Sequence, residues 1–297
     1  MARRVAVCTA VYPAGSDFFD DYLRGLRKAI ERFRGEVVVL FMCDGVDVGD
    51  VQNRAVGLGA ALHAVRASGN GVAAVRREML CAAANLPIDA VVCFDMDDIP
   101  LEEGLNLHWV SLERSEVSFG DMSLIDDDGT ECGESFFSGV DVPEKFETAA
   151  ELLNRNFMGF TNTAISRNVV LSSAEAIPDD VVAADWWFFN DVMNAGSVAQ
   201  RTDGRVVSYR THGSNTLGGK NPQGIDALKR VCKIMRRHYE RLAPGTSVDA
   251  AVARIAFLQQ RLVEDPEWVL ALYQTCQQKD VWFGSVSRLA QASYDAP

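Results

Sequence analysis

Positive charge is scarce: Lys and Arg together number 29 against 41 Asp and Glu, which leaves the 297-residue chain at a formal charge of -12. Nucleic acid and anionic membranes are held by cationic surface, so the charge argues against a general binder of either, and an anionic ligand would need a local device, a metal or a few Arg. Long apolar runs are missing too; VVVLFMC (Val37–Cys43) is among the longest, far below the ~18 residues of a membrane span. The seven cysteines are an odd number without any C-x-x-C pair, and Cys8, Cys43, Cys81 and Cys93 sit inside apolar runs. They read as buried free thiols in a reducing cytosol. The start, MARRVAVCTAVYPAG, imitates a secretory leader but lacks a clear small-residue cleavage pattern, so it is expected to be the first strand. No internal repeat and no low-complexity tract interrupts the chain.

What remains is an ordinary globular composition, 48% apolar and 24% charged, in a chain long enough to bury roughly 75% of its unfolded surface. Apolar, β-rich runs at Val5–Val11, Val37–Cys43 and Ala90–Phe94 alternate with helical spacing, as in DFFDDYLRGLRKAIERF, where Phe18, Tyr22, Leu26, Ile30 and Phe33 share a face and Ser16 is a candidate cap. Strands alternating with helices predict an α/β fold with a central, mostly parallel sheet. Ligands in such sheets bind beyond the carboxyl ends of the strands. Three runs end there in polar or turn-forming groups: TAVYP, CDG (Cys43–Gly45) and DMDD (Asp95–Asp98).

From about Glu116 short β runs and a DDDGT turn (Asp126–Thr130) predict a hairpin and a mixed sheet. Beyond Pro222 the pattern is almost wholly helical, with Asp265 as an N-cap before Pro266. The expected partition is a catalytic-type α/β domain over 1–222 and a C-terminal helical extension over 223–297. In that extension IDALKRVCKIMRRHYERL sets Leu228, Val231, Cys232, Met235, Tyr239 and Leu242 on one face, with Lys and Arg on the rest. Such a helix over 225–242 either packs its stripe on the domain or docks on anionic lipid at the inner membrane face.

Why would a buried strand end in Asp95, Asp97 and Asp98? One reading is a solvated turn with Asp98 capping a helix that starts near Pro100. The other is a hard divalent cation, Mg²⁺ or Mn²⁺, held by one or two carboxylates and completed by substrate phosphate oxygens. Asp185-Trp186-Trp187 opens another helical run, and Ser208–Gly218, SYRTHGSNTLG, gathers Arg, His, Ser and Asn as a polar loop site would. That conjunction favours the second reading.

Seven short pieces, in order, carry a resemblance: T-A-V-Y-P (Thr9–Pro13), C-D-G, N-G-V-A-A-V-R (Asn70–Arg76), F-D-M-D-D (Phe94–Asp98), N-T-A-I-S-R (Asn162–Arg167), A-D-W-W (Ala184–Trp187) and Y-R-T-H-G-S-N-T-L-G. Together, from Arg4 to about Gly219, the chain resembles a family 2 glycosyltransferase of the GT-A, Rossmann-like fold. The resemblance implies an inverting transfer of a sugar from a nucleotide-diphosphate sugar to an acceptor hydroxyl of a glycan, lipid-linked or small-molecule acceptor. It assigns the donor site to Thr9, Val11, Tyr12, Asp44, Arg76, Asp95, Met96, Asp97 and Arg210. Asp97 and His212 would serve as ligands of Mn²⁺ or Mg²⁺. Asp185 would be the general base, and Asn162, Trp186 and Trp187 would lie on the acceptor side, the two Trp as a sugar wall or simply as core. The chain departs from the pattern where Ala184 replaces an acid, Val46 interrupts the D-G-S-x-D run, and Cys43 precedes Asp44. Two alternatives stay open: a nucleotide-sugar or metal-binding module without turnover, which Ala184 suggests, and a D-x-D phosphohydrolase with an Asp nucleophile.

Overall fold

The computed structural model describes residues 3–212, 222–276 and 278–296. The first half alternates strand and helix: β1 (Arg4–Val11), α1 (Phe19–Arg32), β2 (Glu36–Cys43), α2 (Val48–Arg54), β3 (Ala61–Arg66), α3 (Val72–Ala84), β4 (Ala90–Cys93), β5 (Ile99–Pro100), α4 (Gly104–Leu112). Then come β6 (Val117–Ile125), β7 (Glu131–Ser135), β8 (Lys145–Phe146), β9 (Thr163–Ser166), α5 (Arg167–Ser173), α6 (Ala184–Asn194) and β10 (Ala199–Arg210). The helices α7 (Gly224–Tyr239), α8 (Thr246–Glu264), α9 (Pro266–Thr275) and α10 (Gly284–Asp295) complete the chain.

Among the described residues the strands form one mixed sheet in the order β3-β2-β1-β4-β9-β6-β10-β5, with β7 on β6 and β8 on β10. The long ladders are parallel, β2 and β4 flanking β1 and β6 beside β10, while β9 runs antiparallel to both β4 and β6. This direction rule builds the site. The carboxyl ends of β1, β2, β4, β6 and β10 and the start of the reversed β9 all reach the same edge. The buried runs become strands because helices cover both faces, as in β4, where all four residues of AVVC are buried.

Several local expectations are corrected. Ser16 does not cap α1; it follows a 3₁₀ turn over Pro13–Gly15, and α1 begins at Phe19 with Asp20 and Asp21 placed favourably in its first turn. Asp98 caps no helix, because Ile99–Pro100 pairs with β10 and α4 starts only at Gly104. A side chain at Gly104 would meet the Val206 carbonyl at 2.5 Å, so the helix sits against β10 only as glycine. The DDDGT hairpin is present as β6 and β7, and Asp265 accepts a hydrogen bond from Trp268 N at 3.1 Å at the start of α9. Among the seven free thiols Cys132 is exposed rather than buried.

The apolar stripe of α7 faces inward: Leu228, Val231, Cys232, Met235 and Tyr239 are buried. An inserting membrane helix needs that stripe, so only the charged face of α7 is left outward, where Arg236 pairs with Glu240 just past its end and Arg237 lies 3.8 Å from Asp180. The tail is also knit into the α/β layers. The Trp186 ring stacks between His238 of α7 at 3.7 Å and Phe283 at 4.2 Å, and one contiguous apolar cluster runs from β1 to α10.

Candidate active site

The acidic strand end divides into three different environments. Asp98 is 1% exposed; its Oδ2 accepts from Thr161 Oγ1 at 2.5 Å and its Oδ1 from Arg210 N at 2.8 Å. Burial, then the charges of Asp97 and Asp95, push its carboxyl well above the usual range. Asp98 therefore ties the loop after β4 to β9 and β10. Asp97 faces the cavity, and its Oδ2 lies 2.9 Å from His212 Nε2. Asp95 forms an ion pair with Arg76 from α3, and burial raises its carboxyl against the opposing pull of that guanidinium.

Arg76 is the anomaly. It is 8% exposed, burial works against its charge while Asp95 holds the pKa up, and its ring neighbour is Phe160 at 5.5 Å. Its Nη1 is buried with no hydrogen-bond partner, although it belongs to a residue that lines the cavity. An orphaned buried cationic donor is costly, so a site that keeps one is shaped for an acceptor atom supplied from outside.

The cavity encloses about 530 Å³ beyond the carboxyl ends of β1, β2 and β4. Tyr12, Asp44, Arg76, Asp95 and Asp97 line it together with Asp185 from the first turn of α6, whose carboxyl feels the charges of Asp95 and Arg76. Asp185 Oδ1 accepts from Trp186 N at 2.7 Å, and Asn156 Nδ2 reaches Oδ2 at 3.4 Å. Burial lifts the carboxyl to about 6, the Trp186 N–H opposing and the Asp95 charge adding to the rise. A carboxylate in that range can take a proton near neutral pH.

The residues present fit a hard cation. Asp95, Asp97 and Asp98 offer oxygens within 4.8 Å of one another. Both Asp98 oxygens are engaged, which leaves Asp97 and Asp95, with the His212 imidazole beside Asp97, as the ligand set. Few carboxylates on one side of an open cavity suit an ion that shares its coordination with phosphate oxygens.

Other residues assigned from sequence lie elsewhere. Thr9 is buried with its Oγ1 2.5 Å from Tyr22 Oη, Val11 is in the core, and it is Ala10 between them that lines the cavity. Met96 is buried, its Sδ accepting from Tyr12 N at 3.2 Å, so it supports Tyr12 rather than reaching the cavity. Arg210 is 1% exposed and lies behind the acidic loop, donating to the carbonyls of Asp97, Asp126 and Asp127. Asn162 spends its amide on Gly120 O, Phe157 O and Gly159 N. Trp186 and Trp187 are core: the indole N–H of the first donates to Leu152 O and that of the second to Arg241 O. Neither ring reaches the cavity, because Asp185 holds the cavity side of the first turn and the next two positions rotate inward. The aromatic residues that do line the cavity are Tyr12, Phe160, Tyr209 and Trp282. Trp282 stands in KDVWFG, a stretch without periodicity, and long-range contacts, its pairing with Asn156 and its ring packing on Phe136 and Tyr209, bring it here. Residues 213–218 of the polar loop lie outside the described residues.

A curled, mixed sheet with acidic groups and a cavity at its carboxyl edge defines the GT-A type of glycosyltransferase fold. Among solved structures the chain is similar to S. aureus TarS 1–349 in complex with UDP-GlcNAc, at 14% identity and a TM-score of 0.56 over 98% of this chain and 88% of that one. It is similar also to the mannosyltransferase PcManGT from Pyrobaculum calidifontis in complex with GDP-Man and Mn²⁺, at 16% identity and a TM-score of 0.55 over 99% and 80%. At these identities the likeness establishes the fold. No protein-family model and no curated protein matches the chain.

Proposed function

We propose that this protein is a metal-assisted, inverting glycosyltransferase of the family 2 type, moving a sugar from a nucleotide-diphosphate donor to an acceptor hydroxyl. The observation that carries the reading is the buried, unpartnered Nη1 of Arg76, set beside Asp95 in the cavity that Asp97 and Asp185 also line. A diphosphate supplies the missing acceptor atoms. Asp44 accepts from the base, Tyr12 packs beside it, and Asp95 stands at the ribose. Asp97, with His212 and Asp95, would hold Mn²⁺ or Mg²⁺, which when bound offsets negative charge on the departing diphosphate.

Asp185 accepts the proton of the acceptor hydroxyl as its oxygen bonds to the anomeric carbon. The bond from that carbon to the diphosphate oxygen breaks, and its electron pair leaves with the nucleotide. Attack opposite the leaving group inverts the configuration. The presence of a base with its pKa lifted to about 6 favours turnover over a binding-only module, despite Ala184. The free thiols support a cytoplasmic setting, and the outward charged face of α7 supports at most electrostatic contact with an anionic membrane.

A thermal-shift panel of nucleoside diphosphates with and without Mn²⁺ tests the donor site. A ligand at 100 times its Kd stabilises the folded state by about 2.7 kcal/mol, so at least one nucleotide is expected to raise Tm in the presence of metal. Asp97→Asn is expected to abolish the metal-dependent part of that rise. If no nucleotide shifts the wild-type protein with metal present, the donor site is wrong.

A further inference from the structure

The acceptor side of the cavity has a composition of its own. Phe160, Val182, Ala183, Ala184 and Trp282 line the cavity together with Asp185, and among the described lining residues the only cation is Arg76, which pairs with Asp95 and, on the reading above, turns its remaining donor to the diphosphate. An acceptor carrying phosphate near the reacting hydroxyl would find no further cation among the described lining residues and would face the Asp185 carboxylate. An uncharged molecule with a hydroxyl beside a broad C–H surface matches the wall on both counts.

Trp282 is placed there with evident constraint. Its carbonyl accepts from Asn156 N at 2.8 Å, and its ring packs 4.4 Å from Phe136 and 5.6 Å from Tyr209. The next residue, Phe283, is the one non-glycine among the described residues with a left-handed backbone, at φ 68°. A bulky residue held there is strained, and such strain is retained where the surrounding geometry is fixed by something else. Gly159 completes the arrangement. A Cβ there would lie 2.9 Å from Trp282 Cη2, 3.0 Å from Cζ3 and 3.4 Å from Asp185 Oδ2. The indole and the base thus flank one bare backbone position, close enough for a single sugar ring to touch both.

We propose that the segment between α9 and α10 belongs to the active site, and that Trp282 is the specificity-determining residue for an uncharged pyranoside acceptor, presenting apolar surface to the ring whose hydroxyl meets Asp185. The inference rests on the transferase reading for the identity of the reaction, but not for the binding event.

The test uses the full chain with Mn²⁺, a panel of nucleotide-diphosphate sugars as donors, p-nitrophenyl pyranosides of several configurations as neutral probes, and glycerol 3-phosphate and other phosphorylated polyols as charged ones. Pyranosides are expected to accelerate nucleoside diphosphate release and to show saturation transfer from the protein by NMR. Gly159→Ala, at φ -86° where alanine is unstrained, intrudes on the indole and is expected to raise the pyranoside KM about tenfold or more, the range for disturbing one apolar contact. Nucleoside diphosphate affinity is expected to hold. Trp282→Phe is the second variant, since full truncation would open the Phe136 and Tyr209 packing. The proposal is overturned if the phosphorylated polyols are the better acceptors, if neither variant moves the pyranoside KM, or if both weaken the nucleotide sugar relative to the plain diphosphate, which would give the indole to the donor. If no nucleotide binds at all, the transferase reading fails separately. Pyranoside saturation transfer that is lost in Trp282→Phe would then still support the inference, and its absence in the wild type would end it.

Discussion

Asp185→Asn is expected to slow glycosyl transfer by about 10²- to 10⁴-fold, the usual worth of a positioned base, while nucleoside diphosphates still raise Tm in the presence of Mn²⁺. Asparagine keeps the shape and can still accept from Trp186 N, but it cannot take the acceptor proton. The pH dependence has a definite direction. Burial raises the Asp185 carboxyl to about 6, and the base works only when ionised, so transfer by the wild type is expected to climb through that pH and level off above it. The same shift fixes a stability effect. Between the ordinary Asp pKa of about 4 and about 6 the folded protein binds a proton that the unfolded chain has released, so stability declines as pH rises through that window. Above it the buried charge remains a cost that Asn removes. The variant is therefore expected to melt higher than the wild type at pH 7 and to lose that advantage near pH 4. Slower transfer coupled to a gain in stability is a signature that simple damage to the fold would not produce. Undiminished transfer by Asp185→Asn would assign the proton to another group.

What could be read from residue order follows from how local each cause is. The strands β1, β2 and β4 were legible because they are covered on both faces and so lose alternation altogether. β3 was not, because Ala61–Arg66 is a half-exposed edge whose ALHAVR carries no apolar run. Asp97 and Asp185 stood out because carboxylates at a strand end and at a helix start need a local reason, and both line the cavity. For Trp186 and Trp187, where wall and core both stood open, the structure shows core: adjacency to Asp185 in sequence says nothing of the 100° turn per residue that sends their rings inward. Trp282 and Gly159 could not be paired from sequence at all. Their contact spans more than a hundred residues and depends on where the C-terminal helices settle, and no periodicity records that.

Arg210 shows the same limit for a charge, and it carries the second large effect. An Arg in a polar loop segment reads as a ligand contact, yet here its guanidinium holds the acidic loop from behind. Nε donates to Asp97 O at 2.9 Å, Nη1 to Asp127 O at 2.7 Å and Asp126 O at 3.2 Å, Nη2 pairs with Asp21 Oδ2 at 3.1 Å, and the group lies 4.6 Å from the Phe18 ring centre. Removing one partner of a buried charge network costs about 3–5 kcal/mol because the remaining groups stay buried and unpaired. Arg210→Met, which keeps the stem and deletes the fork, is expected to lower unfolding stability by that amount in urea. It should also cost the metal-dependent nucleotide shift in whatever fraction stays folded, since Asp97 loses its backbone anchor. Arg210→Lys is expected to recover little, because an ammonium cannot serve three carbonyls and a carboxylate in the directions a planar fork does. A variant that kept wild-type stability while losing nucleotide affinity would reverse this assignment. It would mean that the guanidinium turns toward the diphosphate in the bound state, trading the carbonyls of Asp126 and Asp127 for phosphate oxygens.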